Sequence, residues 1–558
     1  MSLILKLAVK LQGKYLAKQL DITATKPKET QQEFLLKLLN KNQNTVFGRE
    51  HNFSQIKTEK DYRKAVPIRD YEQLRPYCDR VIKGEQSVLT TEQPFMFNVT
   101  SGTTGKPKYI PVTKQSEKLT SELMRQWLYR ILLTHPQFLD FASVGIVSSA
   151  IEGYTASGIP YGSISGRIYE NIPAIIRSSY AIPHQVLQLK NYEEKYIAIA
   201  LFLLSRQVSF ICTPNPSTLL RIAGFINTHK EELIRSIYDG KIDIKSSHQP
   251  EVISKLQKLF KPQAKRAKEL EIIVEKTNNL LPKDYWKHLN LISCWIGGSV
   301  GTQAEKLSDV FGDLPIRDLG YLASEAQMTL PYLDNTSSGI LAINTNYYEF
   351  IPEEDLETSN FPVLSAYELE LGKRYSILLT TTGGLYRYHI NDIVEVTGFY
   401  HQTPLLAFIR KGKDMTNITG EKIHVNHIIL AIEKIKIHFN FPIRYYRVTP
   451  NFEKSLYEFY LELTNNISHT WLQQKFISEL DKALTQVNIE YDQKRKSQRL
   501  HLPILHLMRQ GWHEAECRRE VDKGKREVQY KWKILCNQAT REDKDAIVKT
   551  IEVKNNLF

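Results

Sequence analysis

The sequence predicts an α/β fold followed by a smaller α+β domain, and two observations lead to this prediction. Short apolar runs bounded by glycine, proline or polar residues alternate with longer segments whose apolar residues recur every three to four positions, as strands between helices do. The polar run Phe408–Asp414, with a glycine at its centre, separates two parts that each contain enough apolar residues for a core. We therefore expect a large domain over residues 1–410 and a small domain over residues 411–558.

The individual elements follow from the period of the apolar residues. In the large domain we predict helices over 29–41, 114–133 (capped by Thr113) and 216–225, a helical region over 256–274 that breaks at Pro262, and strands over 141–149, 208–213, 291–296, 315–318, 339–344, 375–381 and 392–396. In the small domain we predict helices over 425–437 and 469–486, strands over 443–448 and 456–463, and a C-terminal strand and helix. Such a mixture is typical of α/β layers with some antiparallel sheet.

Composition and charge narrow the classes of function. The 558 residues carry a net charge of +13 and include 42% hydrophobic residues, which suits a globular protein with an anionic small-molecule partner such as a nucleotide. The basic residues form no long tract with interleaved aromatic residues, so we expect no nucleic-acid partner. The five cysteines are far apart and form no Cys-x-x-Cys pair, which argues against a zinc ribbon or a disulfide framework.

The N-terminal segment bears on the location of the protein. Residues 1–20 are amphipathic, with lysines at positions 6, 10, 14 and 18, and lack the apolar run and cleavage site of a signal peptide. No stretch of the chain is apolar over a length that spans a bilayer. We expect a cytoplasmic protein without a membrane span, present as a monomer or a weak oligomer.

The most informative segment is Thr100–Lys108, in which four hydroxyl residues surround two glycines and two lysines follow. Glycine lets successive backbone N–H groups turn toward one anion, and hydroxyl and ammonium groups add donors. The spacing differs from that of the P-loop, which has four residues between its glycines and a Ser or Thr directly after the lysine. We predict a loop that binds nucleotide phosphates through Thr100, Ser101, Gly102, Thr103, Thr104, Gly105 and Lys106, with a flexible surface hairpin as the alternative.

Two further segments carry candidate site residues. Glu325 ends Tyr321–Glu325 just beyond a predicted strand, where a carboxylate is well placed to bind Mg²⁺ that bridges phosphate oxygens. In Tyr386–Asp392, the fork of Arg387 suits a phosphate or carboxylate, and Asp392 suits the two hydroxyls of a ribose. A surface salt bridge is the alternative for Glu325, and an ordinary half-exposed strand is the alternative for the second segment.

Taken in this order, the segments resemble the adenylate-forming superfamily of acyl-CoA synthetases, peptide-synthetase adenylation domains and luciferases. Thr100–Lys108 resembles its phosphate loop, Tyr321–Glu325 its aromatic-plus-glutamate motif, Tyr386–Asp392 its ribose-binding motif, and Arg410–Asp414 its hinge. The closest resemblance is to the auxin-responsive promoter family of acyl acid amido synthetases, in its bacterial branch. Residues 213–217 and 396–399 also resemble that family, and the likeness covers roughly residues 35 to 535.

The resemblance implies a luciferase-like two-domain architecture, with a large N-terminal domain that binds ATP and the acyl group and a small mobile C-terminal domain. It implies an ATP- and Mg²⁺-dependent ligase that adenylates a carboxylic acid, releases pyrophosphate, and transfers the acyl group to an amine such as an amino acid. The implied catalytic residues are Lys531, Glu325 and Arg387, with Glu325 also holding the metal. The implied remainder of the nucleotide site is Gly297, Gly298, Ser299, Tyr321, Ser324, Asp392 and Arg410.

Two departures from the family pattern keep alternatives open. Asn391 stands where the family has glycine, which leaves Asp392 in place. Lys533-Ile534 stands where the family has Pro-Arg after its lysine, so Lys533 is an alternative to Lys531. A thiol acceptor, as in an acyl-CoA or carrier-protein ligase, and a nucleotide-binding protein without turnover are the competing functions. The sequence does not identify the acid or the amine.

Overall fold

A computed structural model describes residues 2–100, 108–146, 151–162, 166, 179–244, 249–298, 301–356, 358, 360–412, 415–416, 418, 423–439, 441–451, 453–464, 475–496, 500–524 and 530–552. The chain divides into two compact units, Met1–Ile409 and Arg410–Phe558. The first unit mixes helices with parallel and antiparallel sheet, and the second has a four-stranded sheet of its own, in agreement with the predicted fold class.

The first unit contains most of the regular elements. Its α-helices are α1 (Ser2–Ala24), α2 (Pro27–Asn42), α3 (Val46–Glu50), α4 (Glu59–Ala65), α5 (Tyr71–Ile82), α6 (Lys114–Thr134), α7 (Tyr192–Leu204), α8 (Pro216–Thr228), α9 (Lys230–Asp239), α10 (Pro250–Leu259), α11 (Ala264–Thr277), α12 (Pro282–Tyr285), α13 (Gly301–Ala304) and α14 (Leu307–Phe311). Its strands are β1 (Met96–Thr100), β2 (Lys108–Val112), β3 (Ala142–Gly145), β4 (Ile151–Tyr154), β5 (Pro160–Gly162), β6 (Val208–Cys212), β7 (Leu291–Ser293), β8 (Ile316–Arg317), β9 (Thr329–Leu330), β10 (Gly339–Leu341), β11 (Asn346–Pro352), β12 (Leu364–Ser365), β13 (Arg374–Thr381), β14 (Tyr388–Tyr400) and β15 (Thr403–Lys411).

The second unit is smaller. It contains α15 (Val425–Phe439), α16 (Ile477–Val487), α17 (Ile489–Lys496), α18 (Trp512–Asp522) and α19 (Arg541–Asp545), and the strands β16 (Met415–Thr416), β17 (Ile423–His424), β18 (Ile443–Asn451), β19 (Leu456–Leu463), β20 (Ile504–Met508) and β21 (Ile547–Ile551). The sheet order is β18-β19-β20-β21, and a core cluster of buried side chains from α15, α16 and this sheet stabilises the unit.

The described strands of the first unit form three sheets. One is a seven-stranded sheet in the order β12-β11-β13-β14-β15-β10-β9, and another has the order β2-β1-β5-β4. The third consists of the parallel strands β3, β6, β7 and β8. Because the carboxyl ends of parallel strands lie at one edge, the segments that follow β7 and β8 leave the sheet on the same side. Those segments carry the glycine pair Gly297-Gly298 and Tyr321.

Local signals explain where several helices begin. The hydroxyl of Thr113 accepts a hydrogen bond from the backbone of Ser116 and caps α6, as predicted. Pro216 opens α8, and the predicted break near Pro262 separates α10 from α11. Buried Gln31 on α2 donates to the carbonyls of Ile343 and Asn346 at 2.7 and 2.8 Å. These hydrogen bonds hold α2 against the seven-stranded sheet.

The structure also changes some of the predicted elements. The predicted polar break at Phe408–Asp414 begins inside a strand, because β15 continues through Lys411. The strand predicted over 392–396 is longer, and β14 includes most of the Tyr386–Asp392 motif. Among the described residues, no helix is both long enough and apolar enough to cross a membrane.

Candidate active site

The strands on either side of the predicted phosphate loop bring its two ends close together. β1 and β2 are antiparallel, and Thr100 pairs with Lys108 at the end of the ladder. The predicted residues Ser101–Lys106, like Ser299, lie outside the described residues. Within β1, the buried amide of Asn98 donates to the carbonyl of Ser324 at 3.0 Å. The base of the loop therefore contacts the Tyr321–Glu325 segment.

Tyr321 connects two of the predicted motifs. Its hydroxyl donates to a carboxylate oxygen of Asp392 at 2.6 Å, and its backbone N–H donates to the Thr329 hydroxyl at 2.8 Å. Burial, reinforced by the Asp392 carboxylate, raises the pKa of the Tyr321 phenol well above its ordinary value. Tyr321 therefore stays neutral and keeps donating to Asp392 throughout the physiological pH range.

Glu325 lies in a second set of contacts between the same segments. The Tyr388 hydroxyl lies 3.1 Å from a Glu325 carboxylate oxygen, to which it donates, and 3.3 Å from the Lys108 ammonium. Burial and the Glu325 carboxylate raise the pKa of Tyr388, so it too remains a donor. Lys108 also lies over the ring of Tyr71, with the ammonium 5.6 Å from the ring centroid. Three segments that are far apart in sequence thus meet at one place.

A bulge in β14 explains the orientation of Asp392. Ser376 of β13 pairs with Ile393, but Leu378 pairs with His389, so one residue of β13 opposes three of β14. Asn391 has a φ of +61°, the left-handed conformation that glycine favours and that asparagine tolerates better than most residues. The substitution of Asn391 for the expected glycine is therefore compatible with the local turn, and the bulge directs Asp392 towards Tyr321.

The glycine pair after β7 approaches the same region. A Cβ on Gly298, which has a φ of +61°, would lie 3.1 Å from the ring of Phe408, and one on Gly297 would lie 2.9 Å from the Cβ of Ser337. Phe408 stacks on Tyr321, with ring centroids 5.4 Å apart. Only glycine permits this close backbone approach. The ring of Phe408 therefore links the glycine pair to Tyr321, whose hydroxyl contacts Asp392.

Asp318, which the sequence patterns did not single out, ties the ends of β7 and β8 together. Its two carboxylate oxygens accept hydrogen bonds from the backbone N–H groups of Ile296 and Gly320, at 2.8 and 2.6 Å. Burial raises the pKa of Asp318 to about 6. The sequence feature that could have pointed to Asp318 is its position at the end of a predicted strand. Asp318 thereby positions both the glycine pair and Tyr321.

The guanidinium of Arg387 donates hydrogen bonds to groups of the protein itself. This differs from the predicted contact of Arg387 with a phosphate or the ribose. Its guanidinium donates to the Glu349 carboxylate at 2.8 Å and to the carbonyl of Val66 at 2.8 Å. Glu349 is buried and also accepts from Arg63 at 3.1 Å, so one carboxylate is shared by two arginines. Arg387, with a φ of +47°, therefore fixes the turn that precedes β14 and is a positioning residue.

In the second unit, Lys531 and Lys533 occupy equivalent positions on an extended segment. Exposure alternates along it: Tyr530 and Ile534 are buried and Trp532 is half-buried, whereas both lysines are exposed. Alternation of this kind places side chains two residues apart on the same side of an extended chain. The backbone therefore presents both lysines in the same direction, and Lys533 stays an alternative to Lys531.

Arg447 holds this segment to the rest of the second unit. Its guanidinium donates to Asp543 at 2.7 Å, to Glu516 at 2.8 Å and to the carbonyl of Lys533 at 3.2 Å. The guanidinium carbon also lies 4.2 Å from the centroid of the Trp532 ring, within cation–π range. The segment that carries the candidate lysines is therefore anchored by a buried charge cluster.

The donor set in the first unit fits a magnesium ion that is held largely by phosphates. Mg²⁺ is usually bound by one or two carboxylates together with substrate phosphate oxygens, and Glu325 supplies one such carboxylate. Among the described residues, no group of three or more histidine, cysteine or acidic side chains is arranged to hold a metal by itself. Arg410, the predicted hinge residue, is buried and donates to the carbonyl of Gly412 at 3.3 Å.

Comparison with known proteins identifies the family. Residues 16–316 match the GH3 family N-terminal domain, residues 339–411 its central domain and residues 426–540 its C-terminal domain. The chain belongs to the GH3 family. The predicted resemblance to acyl acid amido synthetases is confirmed, and the placement in a bacterial branch remains a prediction.

The relatives of this GH3 protein include amido synthetases of plants. It is 27% identical over 388 residues to indole-3-acetic acid-amido synthetase GH3.10 of Arabidopsis thaliana, which covers 64% of this chain and 65% of the relative. It is 23% identical over 452 residues to jasmonoyl–L-amino acid synthetase JAR4 of Nicotiana attenuata, which covers 78% of each.

Solved structures confirm the adenylate-forming fold. GH3.15 acyl acid amido synthetase in complex with 2,4-DB superposes with a TM-score of 0.84 over 97% of this chain and 98% of that chain, at 20% identity. A 2-hydroxyisobutyryl-CoA ligase superposes with a TM-score of 0.55 over 92% of this chain and 91% of that chain, at 11% identity. At these identities the similarity establishes the fold.

Proposed function

We propose that this GH3 protein is an ATP-dependent acyl acid amido synthetase. The observation that carries the proposal is the meeting of three distant segments, through the contacts of Tyr321 with Asp392 and of Tyr388 with Glu325 and Lys108. These groups are the ones that a bound nucleotide requires: a carboxylate for ribose hydroxyls, a carboxylate for a metal and a cation for phosphates. The similarity to named amido synthetases supports an amine as the acyl acceptor.

The proposed roles follow from the position and chemistry of each residue. Asp392, oriented by Tyr321, accepts hydrogen bonds from the ribose hydroxyls, and the backbone of Gly297, Gly298 and Ser299 contacts the adenine. The β- and γ-phosphates are bound by Ser101, Thr103, Thr104 and Lys106, and Lys108 adds positive charge beside Glu325. Glu325 would hold Mg²⁺, which when bound would neutralise charge on the phosphate oxygens.

The chemistry consists of two substitutions. A carboxylate oxygen of the acid attacks the α-phosphorus of ATP, the bond to the β-phosphate breaks, and pyrophosphate leaves. An amine nitrogen then attacks the acyl carbon of the adenylate, the bond to AMP breaks, and the amide forms with loss of a proton from nitrogen. Holding the reactants in line and neutralising phosphate charge lowers the barrier of the first step.

The second unit supplies the remaining candidate group. We assign Lys531 to the charge that develops on the α-phosphate and the bridging acyl oxygen, with Arg447 anchoring the segment that carries it. We further propose that the first unit binds ATP and the acyl group and that the second is the mobile one, with a hinge at Arg410.

A screen of acids and acceptors tests the function. Purified protein is incubated with ATP, Mg²⁺ and a panel of aryl, indolyl and aliphatic carboxylic acids, with amino acids or coenzyme A as acceptor, and pyrophosphate and products are measured. We expect acid-dependent pyrophosphate release and an amide detected by mass spectrometry. Asp392→Ala is the matched inactive control, and Glu395→Ala, on the same strand and in a partly exposed ion pair with Arg374, is the matched active one.

The other outcomes separate the competing functions. A thioester in place of an amide would assign the protein to the thiol ligases. ATP binding without acid-dependent pyrophosphate release across the whole panel would assign it to nucleotide-binding proteins without turnover. Either result would contradict the proposed amide synthesis.

A further inference from the structure

The N-terminal helix α1 is fixed to the first unit along one face. Gly13, Ala17, Leu20 and Ala24 recur every three to four residues and are buried. The contact is closest at Gly13, where a Cβ would lie 2.1 Å from the Cβ of Tyr129 in α6. A helix held this tightly presents a defined opposite face.

That opposite face is apolar and exposed to solvent. Leu3, Leu7, Leu11, Tyr15 and Ile22 are each between 52% and 80% exposed, and we call these five side chains the α1 stripe. The stripe extends along α1 from Leu3 to Ile22, which corresponds to about 30 Å at 1.5 Å per residue. Several large apolar side chains exposed on one face of a helix mark an interaction site more often than single exposed residues do.

Positive charge runs along one flank of the stripe. Lys10, Lys14 and Lys18 are exposed, and each follows a member of the stripe by three residues; we call them the lysine row. Asp21 is the one acidic residue in α1, and it accepts a hydrogen bond from the Tyr400 hydroxyl at 2.6 Å. The solvent-facing side of the helix is therefore both apolar and basic.

We propose that the α1 stripe and the lysine row form a docking surface for an anionic lipid bilayer. Leucine side chains of a helix that lies flat enter the boundary between headgroups and acyl chains, while lysines beside them contact lipid phosphates. Tyrosine suits that boundary because its ring is apolar and its hydroxyl is polar. The helix lies on the membrane, and this docking does not depend on the proposed catalysis.

Charge complementarity favours a bilayer over a second copy of the chain. Pairing two stripes face to face would bring two lysine rows into one interface, where like charges repel. An anionic bilayer instead attracts every lysine of the row at once.

Vesicle sedimentation with the full chain tests the docking surface. Protein is mixed with vesicles of phosphatidylcholine alone or with phosphatidylglycerol added, and the bound fraction is measured at several salt concentrations. The first variant is Lys10→Gln/Lys14→Gln/Lys18→Gln. Its matched control is Lys265→Gln/Lys268→Gln/Lys276→Gln, which removes three exposed lysines from α11. A second variant, Leu7→Gln/Leu11→Gln, removes apolar surface without changing the charge.

We expect binding to phosphatidylglycerol vesicles that weakens with salt, and little binding to phosphatidylcholine alone. A lysine near an anionic surface strengthens binding about fivefold, so loss of the row should weaken it roughly 100-fold, while the α11 control binds like the parent. Leu7→Gln/Leu11→Gln should weaken binding about tenfold or more, with unchanged circular dichroism.

Three results would overturn the proposal. The first is that the parent protein stays in the supernatant with every vesicle, and the second is that the α11 control loses as much binding as the lysine-row variant. A dimer of the parent in light scattering that Leu7→Gln/Leu11→Gln converts to a monomer would assign the stripe to a second copy instead.

Discussion

Replacing Asp392 with alanine should change nucleotide binding more directly than any other substitution in the first unit. The Asp392 side chain is 1% exposed, and one of its oxygens accepts a hydrogen bond from Tyr321 at 2.6 Å. A hydrogen bond from a ribose hydroxyl to a carboxylate contributes about 1.5–3 kcal/mol. Loss of two such bonds therefore weakens ATP binding by about 3–6 kcal/mol, which is at least roughly 100-fold in the dissociation constant.

Calorimetric titration with two nucleotides isolates this contribution. The parent should bind ATP more tightly than 2′,3′-dideoxy-ATP, because only ATP has the hydroxyls that Asp392 accepts from. Asp392→Ala should bind the two nucleotides with equal affinity. The comparison within each protein removes effects that the substitution has elsewhere in the site.

A second substitution separates folding from binding. In Asp392→Ala the buried Tyr321 hydroxyl loses an acceptor, which costs about 1–3 kcal/mol of stability. Tyr321→Phe in the same chain removes that hydroxyl, so the double variant should be more stable than Asp392→Ala and still fail to distinguish the nucleotides. If Asp392→Ala prefers ATP over the dideoxy nucleotide as strongly as the parent does, Asp392 does not bind the ribose.

Three further predictions concern stability, pH and the second unit. Glu349→Gln removes a buried charge shared by two arginines and should lower the free energy of unfolding in urea by about 3–5 kcal/mol. Glu395→Gln, in a partly exposed ion pair, should lower it by less than about 1 kcal/mol. Equal effects of the two substitutions would contradict the role of the buried network. Burial raises the pKa of Asp318 to about 6, so the folded chain keeps a proton that the unfolded chain releases near pH 4, and stability should fall by roughly 3 kcal/mol as the pH rises through that window. Asp318→Asn should remove this loss of stability with rising pH. If stability depends on pH in this variant as it does in the parent, Asp318 is not the group that holds the proton. Lys531→Ala should reduce acid-dependent pyrophosphate exchange far more than it reduces ATP affinity. Lys533→Ala should leave the exchange largely unchanged. The opposite pattern would assign the catalytic role to Lys533.

Much of the local structure was predictable because short-range patterns specify it. The period of the apolar residues and the hydroxyl of Thr113 predicted α6, and proline positions predicted the start of α8 and the break before α11. Residue types also predicted Asp392 and Glu325 as site residues, since few side chains suit a ribose or a metal. These inferences depend on neighbours within a few positions along the chain.

The contacts that build the site were less predictable because they join distant segments. Arg387 was expected at a ligand, and only the sheet order brings Glu349 beside it. Asp318 was not among the predicted site residues, because an aspartate in isolation resembles any surface charge. Lys108 was noted only as a charge at the end of the predicted phosphate loop. Their partners become visible once the strands around them are placed.

The sequence by itself determined the family, several of the helices and strands in both parts of the chain, and the chemical groups available for a nucleotide. The tertiary structure alone decided that a bulge turns Asp392 towards Tyr321, that Tyr388 lies between Lys108 and Glu325, and that one face of α1 stays exposed. The physical reason is that capping and periodicity act between near neighbours in the chain, whereas strand pairing and burial depend on residues brought together from far apart.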